Sequence, residues 1–180
     1  MNVLVAYATR HGATAEIAER VADRLQAAGL TAEARPVTEV KDVGPYDAVV
    51  IGGAAYMFHW LKEATAFAKR HQKDLARRPL WLFSSGPLGT DAVDKDGQDV
   101  VEASRPKEFE ELRALLGSRD ECVFFGAWDP AAPPVGMGER LLRLMPASKE
   151  ALPAGDFRDW RTIDAWADGI AAQLSSGLQS

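Results

Sequence analysis

Residues 3–25 read VLVAYATRHGATAEIAERVADRL, an unbroken apolar run that passes through a short polar loop into a strongly patterned helix. Val3 to Ala8 shows no polar face, the pattern of a strand covered on both sides. Beyond the loop, Ile17, Val21 and Leu25 recur every four residues and give a helix one apolar stripe. The loop itself, Thr9 to Thr14, sets two hydroxyls, one glycine and the side chains of Arg10 and His11 directly before that helix. A helix N-terminus presents unpaired N–H groups and a partial positive charge, so this composition suits a phosphate. Gly12 lets the backbone approach a ligand, Thr9 and Thr14 can donate to phosphate oxygens, and Arg10 can add charge-assisted bonds. The loop is neither GxGxxG nor a Walker A sequence, because it lacks the further glycines and the lysine. Its residues alone also fit an ordinary turn with Arg10 and His11 facing water.

The same alternation of strand and helix continues along the chain. Asn2 to Ala8, Asp47 to Ala54, Leu80 to Ser84 and Cys122 to Ala127 are short apolar runs that read as core strands. Leu30 to Val37 alternates apolar and polar residues and then meets Pro36, which reads as an edge strand. Apolar faces at helical spacing follow: Leu61, Ala64, Phe67, Ala68 and Leu75; Phe109, Leu112 and Leu116; Trp160, Ile163, Ala167, Ile170 and Leu174. Ser104 ahead of Pro106 and Glu108, Gly117 after Leu116, and Asp159 before the last stripe supply boundary signals. Such alternation predicts an α/β fold, a doubly wound parallel sheet with right-handed crossovers. Ligands of these sheets lie beyond the carboxyl ends of the strands. Function is therefore expected in Thr9–Thr14, Gly52–Trp60 and Ser84–Asp91.

Composition narrows the chemistry. A chain of 180 residues, 47% apolar, fits one domain spanning residues 1–180. A net charge of -5 without a basic block argues against nucleic acid as a partner. Cys122 is the single cysteine, and His11, His59 and His71 show no zinc-ligand spacing, so neither a disulfide framework nor a metal is expected. The short N-terminal apolar run is no signal peptide and no segment approaches a membrane span, which predicts a cytoplasmic protein.

With the loop Thr9, Gly12 and Thr14 in place, the chain resembles the flavodoxin-like family, whose first loop follows T-x-T-G-x-T and holds the phosphate of FMN. Here His11 stands where a second threonine or serine is usual, and Arg10 precedes it. That basic variant is similar to the flavodoxin-type quinone-dependent protoporphyrinogen oxidases and related actinobacterial flavodoxin-domain proteins, as are the later pieces DAVVIGGAAYMFHWLKEA (47–64), PLWLFSSGPLG (79–89) and GDFRDWRTIDAWADGIA (155–171). The resemblance implies a five-stranded sheet of order 2-1-3-4-5 with an insertion after the fifth strand. It implies FMN as cofactor, bordered by Thr9, Arg10, His11, Gly12, Ala13 and Thr14 of the first loop. Ala54, Ala55 and Tyr56 of the second and Ser84, Ser85, Gly86, Pro87 and Gly89 of the third complete the expected set.

In the second loop, glycines and alanines would let a flat ring approach the backbone, with Tyr56 the expected cover; Phe58 and Trp60 could also cover it but read first as core anchors of the next helix. His59 is a candidate proton donor, although a lone loop histidine is also read as solvated. His71, among Lys69, Arg70 and Lys73, reads as a solvated face. Small electron-carrying flavodoxins often place an aromatic in the third loop, whereas SSGPLGTD (84–91) has none. Either that ring face is open to an organic substrate or a quinone, or cover comes from elsewhere, such as Trp128. Thr90–Arg105 reads as a mobile surface loop. In the insertion 128–156, Met137, Leu141, Leu144 and Met145 share a helical face, with Arg140 and Arg143 at its border, which either packs on the sheet edge or makes a peripheral membrane contact. Three functions compete: an FMN oxidoreductase with a quinone acceptor, a carrier that serves a redox partner protein, and a flavin-free interaction module. The missing aromatic, the basic loop and the insertion favour the enzyme.

Overall fold

A computed structural model describes residues 1–133, 135 and 153–176. Five strands form the parallel sheet: β1 (Asn2–Ala8), β2 (Thr31–Pro36), β3 (Ala48–Tyr56), β5 (Leu80–Ser85) and β6 (Asp120–Phe124). Their order is β2-β1-β3-β5-β6, and β4 (His59–Trp60) is a short hairpin strand on β3. Counting only the parallel strands, this is the expected 2-1-3-4-5 order, with β2 at the edge. Helix α1 (Ala13–Ala27) and α6 (Trp160–Ser176) cover one face. On the other lie α2 (Lys62–Arg70), α3 (Gln72–Leu75) and α5 (Glu108–Leu116).

The lack of a wet face on β1 has a simple cause: alternate residues feed two cores. Val3 and Val5 join Ile17, Val21, Val50, Trp81 and Phe83 under α1 and α6. Leu4 and Ala6 join Ile51, Leu82, Phe67 and Leu112 on the opposite side. A one-residue slip of β1 would exchange the two sets.

Several boundaries differ from the sequence expectation. The fifth parallel strand stops at Phe124, and Ala127–Trp128 instead begins β7, an antiparallel ribbon with β8 (Gly155–Asp156). That ribbon joins the two ends of the expected insertion, whose Met137–Met145 helix lies outside the described residues. The stripe from Leu61 to Leu75 is two helices that meet at His71. His71 is not solvated but 9% exposed, tilted against Phe67 with ring centroids 4.8 Å apart, and its Nε2 accepts from Arg70 Nε. Burial pushes its pKa down, aided by the neighbouring guanidinium of Arg70. Thr90–Arg105 is not all loop: Val93 bridges Asp99, which caps α4 (Val100–Ala103) by accepting from the amides of Val101 and Glu102. Ser104 closes α4 rather than opening α5, which begins after Lys107. Gly117, left-handed at φ 67°, ends α5, and Asp159 caps α6 by accepting from Arg161 N and Thr162 Oγ1, as their positions predicted.

Candidate functional site

Because the five strands are parallel, their carboxyl ends share one edge, and chain order reverses between β1 and β3. A cavity of about 710 Å³ opens there, within the range of ligand pockets. Its first wall is the loop between β1 and α1, where Thr9, Arg10, His11, Ala13 and Thr14 border the space. Thr9 Oγ1 accepts the amide of Gly12 at 3.1 Å, which curls the loop onto itself. Gly12 caps α1 in the left-handed region at φ 92° with no side-chain cap, so no side chain claims the first-turn amides. Gly12 itself shapes the loop without bordering the cavity.

Thr14, 1% exposed, meets Ser85 Oγ at 2.8 Å and ties the start of α1 to the end of β5. Only one hydroxyl can donate in that pair, so the other keeps its proton for a ligand. The Arg10 guanidinium lies 5.7 Å from the centroid of Tyr56, and His11 stands edge-on to Trp128 at 5.4 Å.

The second wall departs from a loop. β3 runs on to Tyr56, so Gly52 and Gly53 are paired strand residues. A Cβ at Gly52 would overlap the Phe83 ring, and one at Gly53 would sit 2.5 Å from Trp60 Nε1. The flat rings these glycines admit are the protein's own. Ala54, Ala55 and Tyr56 do border the cavity. The chain then reverses through Met57 and Phe58, both left-handed at φ 51° and 65°, the pairing of a two-residue hairpin turn that asparagine and glycine usually occupy. Trp60 anchors the hairpin at 3% exposure, donating Nε1 to Gly53 O at 3.0 Å and meeting Phe109 edge-on. Phe58 is no core anchor; it is 53% exposed and Met57 is 86% exposed.

His59 borders the cavity mouth and is not a lone histidine. Its Nδ1 lies 2.9 Å from Glu108 Oε1, while Glu108 Oε2 accepts the amide of Trp60 at 3.0 Å. Burial alone would raise the Glu108 carboxyl, but the Trp60 amide and the His59 ring outweigh it and hold its pKa below the ordinary value.

The third wall has Ser85, Gly86 and Leu88, joined by Gly126, Ala127 and Trp128 from the ribbon end. Three expected residues fall outside it. Ser84 is fully buried in β5 with no partner for Oγ, Pro87 turns its carbonyl to the amide of Gly126, and Gly89 takes a left-handed φ of 106° beyond the wall. The loop after β5 brings no ring to the cavity. Met57 and Leu88 lie within the expected loops without having been named for the cofactor, and sequence reading missed Leu61, Lys62, Gly126 and Ala127. Asp129, Pro130 and Pro133 signal a turn after Trp128, but no local pattern pairs Ala127–Trp128 with Gly155–Asp156, so the ribbon beside the site was not visible.

Arg158 fastens that ribbon to the first loop. With its side chain 7% exposed, it pairs with Asp156 at 2.7 Å and Glu16 at 2.8 Å, donates to Ala13 O at 3.2 Å and lies over Trp160. The Arg158 bond holds the Asp156 carboxyl below its ordinary pKa. A depressed carboxylate stabilises the fold above its unfolded pKa and loses that contribution as pH falls through the folded value. Arg158→Met is therefore expected to lower unfolding stability by about 1–3 kcal/mol at neutral pH and to flatten the acid limb of the stability profile. Denaturant titrations across acid pH check this; an unchanged limb would remove the clamp from the account.

Residues 4–128 match the flavodoxin domain family. The chain is 31% identical over 86 residues to the protoporphyrinogen IX dehydrogenase [quinone] of Escherichia coli K12, covering 47% of this chain and 48% of that protein. It thus spans about half the length of the curated relatives it matches. A cysteine-to-serine variant of a flavodoxin from Pseudomonas aeruginosa superposes with a TM-score of 0.59 at 16% identity, over 97% of this chain and 99% of that one. An archaeal flavodoxin gives 0.57 at 12% identity over the same shares. FMN fits the cavity on its own features: the uncapped amides of α1 for a phosphate, the Thr14–Ser85 hydroxyl pair, and the narrow gap at Gly86, where a Cβ would lie 3.3 Å from that of Ala55. That sets aside a flavin-free module. Family match, strand order and cavity agree that this chain belongs to the flavodoxin domain family, with FMN as its cofactor and a redox role.

Proposed function

We propose that the chain is an FMN-dependent oxidoreductase that removes two hydrogens from an organic substrate and passes the electrons to a quinone. The observation that carries this reading is the loop after β5, where Ser85, Gly86 and Leu88 bring no aromatic and the one aromatic on that wall, Trp128 of β7, stands edge-on to His11, while the cavity opens toward Met57 at its mouth. Bound FMN supplies reversible two-electron chemistry, and the protein supplies binding and orientation. Thr9, Arg10 and Thr14 hold the phosphate on a loop that Gly12 shapes; Ala55, Tyr56, Ser85 and Gly86 border the ring system. Protoporphyrinogen is the first substrate to try, because the partial relative in Escherichia coli is named for it. Among the described residues no helix is long and apolar enough to cross a membrane.

The test is an absorbance spectrum with added FMN, then anaerobic turnover with protoporphyrinogen and a menaquinone analogue. Flavin bands with porphyrin formation support the reading in full. Flavin bands without porphyrin formation, in a protein that still reduces the quinone once its flavin has been reduced with dithionite, move the substrate elsewhere. A second reading, a carrier for a redox partner protein, draws on the exposed Met57 and Phe58 beside the mouth, which a docked protein would cover. Slow reaction of the reduced protein with small quinones, beside fast exchange with a protein partner, would favour the carrier.

A further inference from the structure

We propose that His59, oriented by Glu108, is the group that exchanges protons with substrate and quinone at the cavity mouth. The proposal rests on the oxidoreductase reading above. His59 is fixed by sequence-distant contacts rather than left in solvent: β4 pairs it with Tyr56, and Glu108 reaches it from the first turn of α5, 49 residues away. The contact also locks α5 to the hairpin, because the second Glu108 oxygen holds the amide of Trp60 and Lys107 donates its amide to Phe58 O at 3.0 Å.

The dyad has a defined polarity. An ionised carboxylate only accepts, so the ring nitrogen facing Glu108, Nδ1, must carry a hydrogen. In the neutral ring this leaves Nε2 as the lone-pair nitrogen, on the side of the imidazole away from the carboxylate. His59 also borders the cavity with its side chain 59% exposed, which lets the ring reach both a bound molecule and water. Histidine with a carboxylate behind it is the usual construction of a general acid–base. The other charged side chains bordering the cavity are cationic, Arg10 and Lys62, so Glu108 is the one carboxylate that the described residues place against this ring.

The hydrogen balance requires such a group. Oxidising a substrate SH2 to S releases two electrons and two protons, equivalent to one hydride and one proton. Reducing a quinone Q to QH2 consumes the same. The hydride equivalent is the cofactor's business, and the remaining proton needs a carrier at the cavity. Nε2 of His59 takes it as the substrate is oxidised and returns it to a quinone oxygen, so that SH2 and Q become S and QH2 with no net change in the protein. Glu108 is a positioning residue in this scheme.

Two measurements test the proposal. The first uses FMN-free full-length protein: nitrogen NMR of the His59 ring in the neutral form is expected to show the hydrogen on Nδ1, reverting toward the Nε2–H form in Glu108→Ala and retained in Glu108→Gln. A wild-type ring with its hydrogen on Nε2 overturns the dyad. The second follows reoxidation of the reduced FMN-loaded protein by menadione. His59→Ala is expected to slow it by roughly 10²-fold, with exogenous imidazole restoring much of the rate and FMN affinity unchanged. His59 is exposed enough for this variant to fold. Reoxidation of His59→Ala at the wild-type rate overturns the proton role while leaving the oxidoreductase reading intact. Wild-type protein that menadione does not reoxidise overturns that reading and the proposal with it.

Discussion

Gly52→Ala is expected to destabilise the chain by about 3 kcal/mol or more, the upper end of overpacking costs in a close-packed core. Gly52 pairs with Tyr7 of β1 and Phe83 of β5 in the middle of the sheet, and the position of a new Cβ is already filled by the Phe83 ring. The ring has nowhere to retreat. Phe83 is fully buried, with Phe124 at 5.9 Å and Trp166 at 5.9 Å between centroids. The cost is one of space, because Gly52 has no left-handed φ for a side chain to strain. Denaturant unfolding of Gly52→Ala, Phe83→Ala and the double variant checks the argument. Each single change is expected to destabilise, Phe83→Ala by about 3–5 kcal/mol through its cavity, and the pair to lose less than the sum by up to about 3 kcal/mol. Additive losses would mean that methyl and ring do not compete.

That glycine pair also marks the limit of what the sequence discloses. The first strand could be read to the residue, since Asn2–Ala8 is bounded by the edge of an apolar run and by a loop of a different composition. The carboxyl-end rule located the site, and ten of the fourteen residues expected at the cofactor, with His59, border one cavity. Periodicity reports which side of an element is apolar and is silent on what fills the space opposite. GGAA therefore reads as room for a ligand, whereas Phe83, 31 residues after Gly52, and Trp60 use that room. The hairpin was hidden for a related reason: Met57 and Phe58 carry none of the glycine or asparagine chemistry that announces a left-handed turn. Their conformation costs on the order of 1–3 kcal/mol each and is held by neighbours, namely Trp60 under Gly53 and Lys107 on Phe58 O. His71 was misread because its charged neighbours in sequence suggest water, while it lies four residues after Phe67 with its amide still bonded to Phe67 O, on the same buried face. Its carboxylate partner shows how contacts across the fold decide the chemistry of His59: Glu108 lies on another helix and no local pattern links the two.

Arg10→Ala is expected to weaken FMN binding about 10- to 150-fold, the equivalent of a charge-assisted hydrogen bond of roughly 1.5–3 kcal/mol. In the cofactor-free chain Arg10 lies over the Tyr56 ring at 5.7 Å, an exposed contact of the kind that contributes about 0.5–1 kcal/mol. Binding a phosphate from that position costs little, because the guanidinium is already drawn toward the cavity by a ring that also borders it. The Tyr56 contact and the phosphate contact can therefore be separated by substitution. Arg10→Lys keeps the charge and loses the planar fork, so it should recover part of the affinity. Tyr56→Leu removes the ring that holds the guanidinium together with a contact to the flavin ring, so it is told apart by salt: with Arg10 still present it should keep the wild-type salt dependence. Fluorescence titration of FMN into the four proteins at low and high salt orders them. Wild type should lose affinity with salt, whereas Arg10→Ala should be flatter, since a screened charge has been removed. Equal affinity of wild type and Arg10→Ala at low salt would assign phosphate binding to the uncapped amides of α1 and the Thr14–Ser85 hydroxyls alone, and leave Arg10 as a lid on Tyr56.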